Sequence, residues 1–241
     1  MSSQLFYFVR HGESLMNAAH FRQGPDGSLS DKGKAQAAAT GERLSGTVFD
    51  ATLVSPYTRT METAEILLQK IRTRKPPELN DLIIERRNPS EIVGKSAEDQ
   101  LVKHIVDLID KSDHADNFRY SDEENFEDLK QRAAKLLQYL AGRKEKKILV
   151  VTHSIFLKMI VAYIVHGESL NAYKYNVLSF LNDSNNASIT VCRHNRYFIK
   201  SGLLRRLLGL TTKDWEVVAW DDYTRPAKPS NPHLSDSAVI T

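Results

Sequence analysis

The stretch KKILVVTHSIFLKMIVAYIVHG occupies positions 146–167. Its first half, KKILVVTH, is a short β-branched run without alternation, as expected for a strand covered on both faces. Its second half is a mostly apolar helical pattern beginning at Ser154. A buried strand running directly into a helix is the unit from which parallel α/β sheets are built. The junction carries a histidine, His153.

Working outward, LFYFVR (5–10) has the same character and stops at Arg10, His11 and Gly12. FDATLVS (49–55) is a third strand, followed by Pro56 and a helical stretch that carries Arg59 on its opening turn. GPDGSLSDKG (24–33) reads as a loop, with Ser30 or Asp31 capping an Ala-rich helix through about Leu44. TRKPPELN (73–80) is an extended connection. Helical patterns return at 96–111, where Ser96 and Asp99 resemble a capping pair, and at 123–141. The acidic segment 121–128 reads as a solvated loop and helix start. ASITVCRH (187–194) and WEVVAWDD (215–222) are two further strands without an obvious helix between them, so one strand is expected to run antiparallel. The predicted fold is a three-layer α/β/α sandwich with a mostly parallel central sheet. It forms one catalytic domain over 1–225, with a loose proline-bearing tail at 226–241.

Composition sets the outer limits. The 241 residues can bury a sizeable core, and the formal charge of +3 is too small to imply nucleic acid. A lone cysteine, Cys192, rules out an internal disulfide and fits a small apolar filler. His20, His104, His114, His166, His194 and His233 show no paired ligand spacing, so neither a metal nor another cofactor is expected. The N-terminus lacks a basic leader, and no apolar run approaches the ~20 residues of a membrane span. The expectation is a soluble cytoplasmic chain without stable membrane insertion. Leu203, Leu204, Leu207, Leu208 and Leu210 flank Arg205 and Arg206, and read as a short helix covering a sheet edge, with a partner or membrane-surface contact as the alternative. The oligomeric state is open, a homodimer included.

In open α/β sheets, ligands bind beyond the carboxyl ends of the strands. If the three apolar strands are parallel neighbours, Arg10, His11, Arg59 and His153 converge there. Guanidinium groups present paired donors to phosphoryl oxygens, and helix N-termini add free N–H groups. A neutral imidazole is a competent nucleophile, and neighbouring cations keep it unprotonated. Gly12 would allow close approach of the backbone to a ligand, or a positive φ.

RHGES at 10–14 resembles the signature of the histidine phosphatase superfamily, the phosphoglycerate-mutase-like family. LSDKGKAQA, SPYTRTMETA and VTHS follow in the family's order. The resemblance implies His11 as the nucleophile that becomes phosphorylated, with Arg10 and Arg59 clamping the phosphoryl group. It also implies His153 as a second phosphoryl ligand. Glu85 matches the family's acid, with Glu91 six residues on as its competitor. Asn17, Gln23, Gly24 and Ser154 would line the pocket. The implied function is a metal-independent phosphomonoesterase acting on a small anionic phosphorylated metabolite. Phosphoglycerate-mutase-type phosphoryl transfer is the alternative, and a catalytically weak phospho-ligand-binding protein is a third. HSIF at 153–156 departs from the mutase-like HGNS, and the stretch from Glu85 to His153 is of only moderate length.

Overall fold

A computed structural model describes residues 3–111, 116–181, 184–195 and 214–223. The leucine–arginine segment 203–210 and the tail 226–241 lie outside these residues. In chain order the strands are β1 (Ser3–Arg10), β2 (Val48–Phe49), β3 (Ala51–Val54), β4 (Arg72–Thr73), β5 (Glu78–Leu79), β6 (Lys147–Thr152), β7 (Ile189–Asn195) and β8 (Trp215–Asp222). The helices are α1 (Leu15–Ala18), α2 (Asp31–Leu44), α3 (Thr58–Leu68), α4 (Gln100–Lys111), α5 (Phe126–Gly142), α6 (Ser154–His166) and α7 (Ala172–Leu181).

The main sheet has the order β5-β3-β6-β1-β7-β8. β5, β3, β6 and β1 are parallel, and β7 runs against both of its neighbours. The expected sandwich with one antiparallel strand is therefore what forms. β2 and β4 make a small parallel pair of their own, within segments read as part of one longer strand and as a connection.

Successive side chains of a strand point to opposite faces, and here both faces are buried. Phe6, Phe8, Ile148 and Val150 pack with Leu136, Leu140, Phe156 and Ile160 of α5 and α6. Val9, Leu149 and Val151 face the other way, onto Leu44 of α2 and Ala64 and Leu67 of α3. This explains why the central strands are apolar without alternation. A third cluster of Ile92, Val102 and Ile105 holds α4 against the segment that follows β5.

Capping matches the local sequence in part. The Ser30 hydroxyl accepts the Gly33 N–H at 3.0 Å and starts α2. Of the expected pair at α4, Asp99 is the residue whose carboxylate accepts the N–H groups of Leu101 and Val102. Ser96 sits in the preceding turn. Asn125 and Asp128 form a capping box that starts α5. The helix α7 had no counterpart in the sequence reading. Among the described residues, no helix is long and apolar enough to cross a membrane.

Candidate active site

β3, β6 and β1 are adjacent and parallel, so their carboxyl ends lie side by side. The His11 N–H donates to Thr152 O, and the Ser55 N–H to Val151 O, which continues the ladder one residue past each strand. Three chain segments far apart in sequence thereby deliver His11, Ser55 and His153 to one place.

His11 is buried, and its Nδ1–H donates to the carbonyl of Gly12 at 2.7 Å. A carbonyl can only accept, so the second ring nitrogen, Nε2, holds the lone pair. Arg59 is also buried. It donates from Nε to His11 Nε2 at 3.2 Å and from Nη1 to the Gly24 carbonyl at 2.8 Å. Burial first, then the charges of Arg59 and Arg10, hold His11 well below the usual histidine range. The guanidinium of Arg10 reaches the Ser184 carbonyl.

The ring of His153 lies 5.2 Å from that of His11, centroid to centroid. Its Nε2 is 2.8 Å from Ser55 Oγ. Its Nδ1 is buried with no hydrogen-bond partner among the described residues. Burial first, then His11, Arg59, Arg132 and Arg10, hold its pKa well below the usual range. Tyr57 stands edge-on to His153 at 5.1 Å and beneath the Arg59 guanidinium at 5.0 Å.

Glu85 reaches this cluster from the loop after β5. Its carboxylate accepts the Phe156 N–H at 3.0 Å and the Ile155 N–H at 3.3 Å, so it caps the open end of α6. Its charge is also felt at Arg59 and Tyr57. Glu91, by contrast, is exposed on a separate single turn, Ser90–Ile92.

The remaining expected residues divide. Gly24 meets Arg59 through its carbonyl. The side-chain carbonyl of Gln23 accepts from Ser14 Oγ at 2.7 Å, and its backbone carbonyl accepts from Asn88 Nδ2 at 3.3 Å. Asn17 is occupied locally, forming a capping box with Ser14 that starts α1. Ser154 is the half-buried first residue of α6.

Two readings need correction. Gly12 does not adopt a left-handed conformation. A Cβ there would lie 2.3 Å from Gly33 O, and a Cβ on Gly33 would lie 2.0 Å from Glu13 O. The two glycines allow the loop after β1 to press against the start of α2, so Gly12 makes room for backbone. The acidic segment is not simply solvated either, because Glu123 and Glu124 are 3% and 5% exposed. Glu123 accepts the N–H groups of Tyr120 and Ser121, and Glu124 pairs with Arg132.

Ser55, Tyr57, Thr63 and Arg132 were assigned no role from sequence. Thr63 had a local signal, being one helical turn beyond Arg59. Its hydroxyl donates to Arg59 O at 2.6 Å and accepts the Gly12 N–H at 3.1 Å. The others depend on which strands are neighbours.

The arrangement offers an uncharged imidazole nitrogen amid fixed cations, a second neutral imidazole, and a carboxylate on a helix N-terminus. The family description "histidine phosphatase superfamily (branch 1)" matches residues 6–218. The probable phosphoglycerate mutase GpmB of Erwinia tasmaniensis is 30% identical over 166 residues, covering 66% of this chain and 74% of that protein. The crystal structure of a putative alpha-ribazole-5'-P phosphatase from Escherichia coli K-12 superimposes with a TM-score of 0.71 at 18% identity, covering 92% and 97% of the two chains. A mycobacterial glucosyl-3-phosphoglycerate phosphatase gives 0.69 at 17% identity, covering 91% and 99%. At such identities the structural likeness speaks for the fold.

Proposed function

The chain belongs to the histidine phosphatase superfamily, and from that premise we propose that it is a phosphomonoesterase acting through a phosphohistidine at His11. The substrate class is a small anionic phosphorylated metabolite. The observation that carries this reading is the His11 ring, whose Nδ1 is tied to Gly12 O so that Nε2 keeps its lone pair beside Arg59.

In the first half-reaction, Nε2 of His11 attacks phosphorus while the bond to the ester oxygen breaks. Arg59 and Arg10 neutralise the charge on the phosphoryl oxygens, usually the largest catalytic contribution. Ser55 Oγ lies 2.8 Å from His153 Nε2; in the proposed mechanism the hydroxyl is the donor, and the ring proton then sits on Nδ1, where it is given to a phosphoryl oxygen. Glu85, which enters this step carrying a proton, gives it to the departing oxygen and is left as the carboxylate. In the second half-reaction Glu85 takes a proton from water, whose oxygen attacks phosphorus. The N–P bond breaks, its electrons return to Nε2, and inorganic phosphate leaves.

Hydrolysis is favoured over mutase transfer by the residues after His153. Ser154, Ile155 and Phe156 stand where the mutase-like pattern HGNS has Gly, Asn and Ser. The mutase reading draws on the name carried by the Erwinia relative. The test is hydrolysis of p-nitrophenyl phosphate without added metal, sensitive to vanadate, with acid-labile phosphate trapped on the wild type and absent from His11→Ala. Full activity in His11→Ala would remove the nucleophile. Phosphoglycerate isomerisation with bisphosphoglycerate present, faster than any hydrolysis, would put the mutase first.

A further inference from the structure

We propose that Arg132, clamped by Glu124, is the positioning residue for the acid loop: it fixes where the Glu85 carboxylate stands relative to His153. The inference rests on the reading of Glu85 as the proton donor.

Arg132 lies on α5, 47 residues after Glu85 in sequence, and touches both sides of the loop–helix junction. Its Nε and Nη2 donate to the two oxygens of Glu124, each at 2.8 Å. Its Nη1 donates to Leu82 O at 3.1 Å and Ile84 O at 2.8 Å, and Nη2 comes within 3.5 Å of Glu85 O. The same guanidinium stacks on the ring of Phe156, 3.8 Å from its centroid. Phe156 in turn supplies the N–H that Glu85 Oε1 accepts. Glu124 extends the clamp, since its carboxylate accepts the Arg87 N–H at 3.2 Å and its own N–H donates to Arg87 O at 3.0 Å. Backbone at Leu82, Ile84, Glu85 and Arg87 is thus fixed by one ion pair, and the helix that receives the carboxylate is stacked by the same group.

The pair is nearly closed to solvent, with side-chain exposures of 11% for Arg132 and 6% for Glu124. Buried ion pairs contribute little net stability, because desolvation offsets the attraction. The planar fork, by contrast, serves several acceptors in one geometry, which an ammonium cannot copy. That combination suits holding a proton donor in register better than it suits stabilising the fold.

The experiment compares 2,4-dinitrophenyl phosphate, whose leaving group needs no proton, with phenyl phosphate, whose leaving group does. Glu85→Gln, Arg132→Lys and the double variant are measured on both. Read in kcat/KM, which reports phosphoryl transfer to His11 and not the later hydrolysis in which Glu85 is the base, Glu85→Gln should slow phenyl phosphate on the order of 100-fold and barely affect the activated ester. Arg132→Lys should show the same discrimination, about tenfold or more, and add almost nothing in the Glu85→Gln background. Arg132→Lys that slows both esters equally, additively with Glu85→Gln, overturns the positioning role while leaving the phosphatase reading intact. Glu85→Gln without discrimination removes the acid assignment, and the positioning role with it. Glu124→Gln keeps the shape of the clamp and carries the same comparison if Arg132→Lys accumulates poorly.

Discussion

Ser55 Oγ stands 2.8 Å from Nε2 of His153, and both residues are fully buried at the ends of adjacent strands. The serine hydroxyl holds that ring in place through its Nε2. Ser55→Ala leaves the imidazole nitrogen without a buried partner, which costs about 1–3 kcal/mol. Phosphatase kcat is expected to fall about tenfold or more. Ser55→Thr, which keeps the hydroxyl, should recover part of the loss. Equal losses in both variants would show that packing rather than the hydroxyl matters.

Arg59 binds through two separate nitrogens, to His11 and to Gly24. Arg59→Lys keeps the charge but supplies a single point of contact. The expected result is a fall in kcat/KM on the order of 100-fold, with the folded state preserved by circular dichroism. Activity within threefold of wild type would show that charge alone suffices.

His11 and His153 are both neutral in the folded chain, held below the ordinary value of 6.5 chiefly by burial. In the unfolded chain each protonates near 6.5. Below that pH the unfolded state binds protons that the folded state refuses, so stability rises with pH there and levels off above it. Each ring contributes a slope of about 1.4 kcal/mol per pH unit between its unfolded and folded pKa values. Melting temperatures from pH 7.5 down to 5 should fall with this slope, and the double variant His11→Asn, His153→Asn should flatten it. An unchanged slope in the double variant would assign the acid sensitivity to other groups.

Gly33→Ala places a Cβ 2.0 Å from backbone, where no flexible side chain can yield. It should destabilise by about 3 kcal/mol or more. Gly142 is the control, since a Cβ there meets nothing within 4 Å at the end of α5. Gly142→Ala should be neutral or stabilise by up to about 1 kcal/mol. Urea titration of the two variants separates close backbone packing from a general intolerance of glycine loss.

Several features were legible because they are written locally. The apolar runs LFYFV and KILVV announce strands buried on two faces, as β1 and β6 are. Ser30 before an Ala-rich run announces a helix start, and the cap forms. The acidic segment misled because charge density alone suggests solvent exposure, whereas Glu124, just ahead of α5, finds Arg132 on that helix and the pair closes over a backbone loop. Gly12 misled in its conformation, since it adopts no positive φ and its missing Cβ is what admits the backbone of Gly33.

By itself, then, the sequence determined the strands, their abrupt polar ends, and the order of motifs that places this chain in the histidine phosphatase superfamily. These follow from short-range pattern, because burial and helix capping act on residues a few positions apart. Tertiary structure alone decided that Ser55 holds His153 across 98 positions, and that the Glu85 carboxylate caps α6 across 71. It also decided that Arg132 grips the Glu85 loop. Such contacts depend on which strands become neighbours in the sheet, and that is set by the joint packing of α2 and α3 on one face and α5 and α6 on the other.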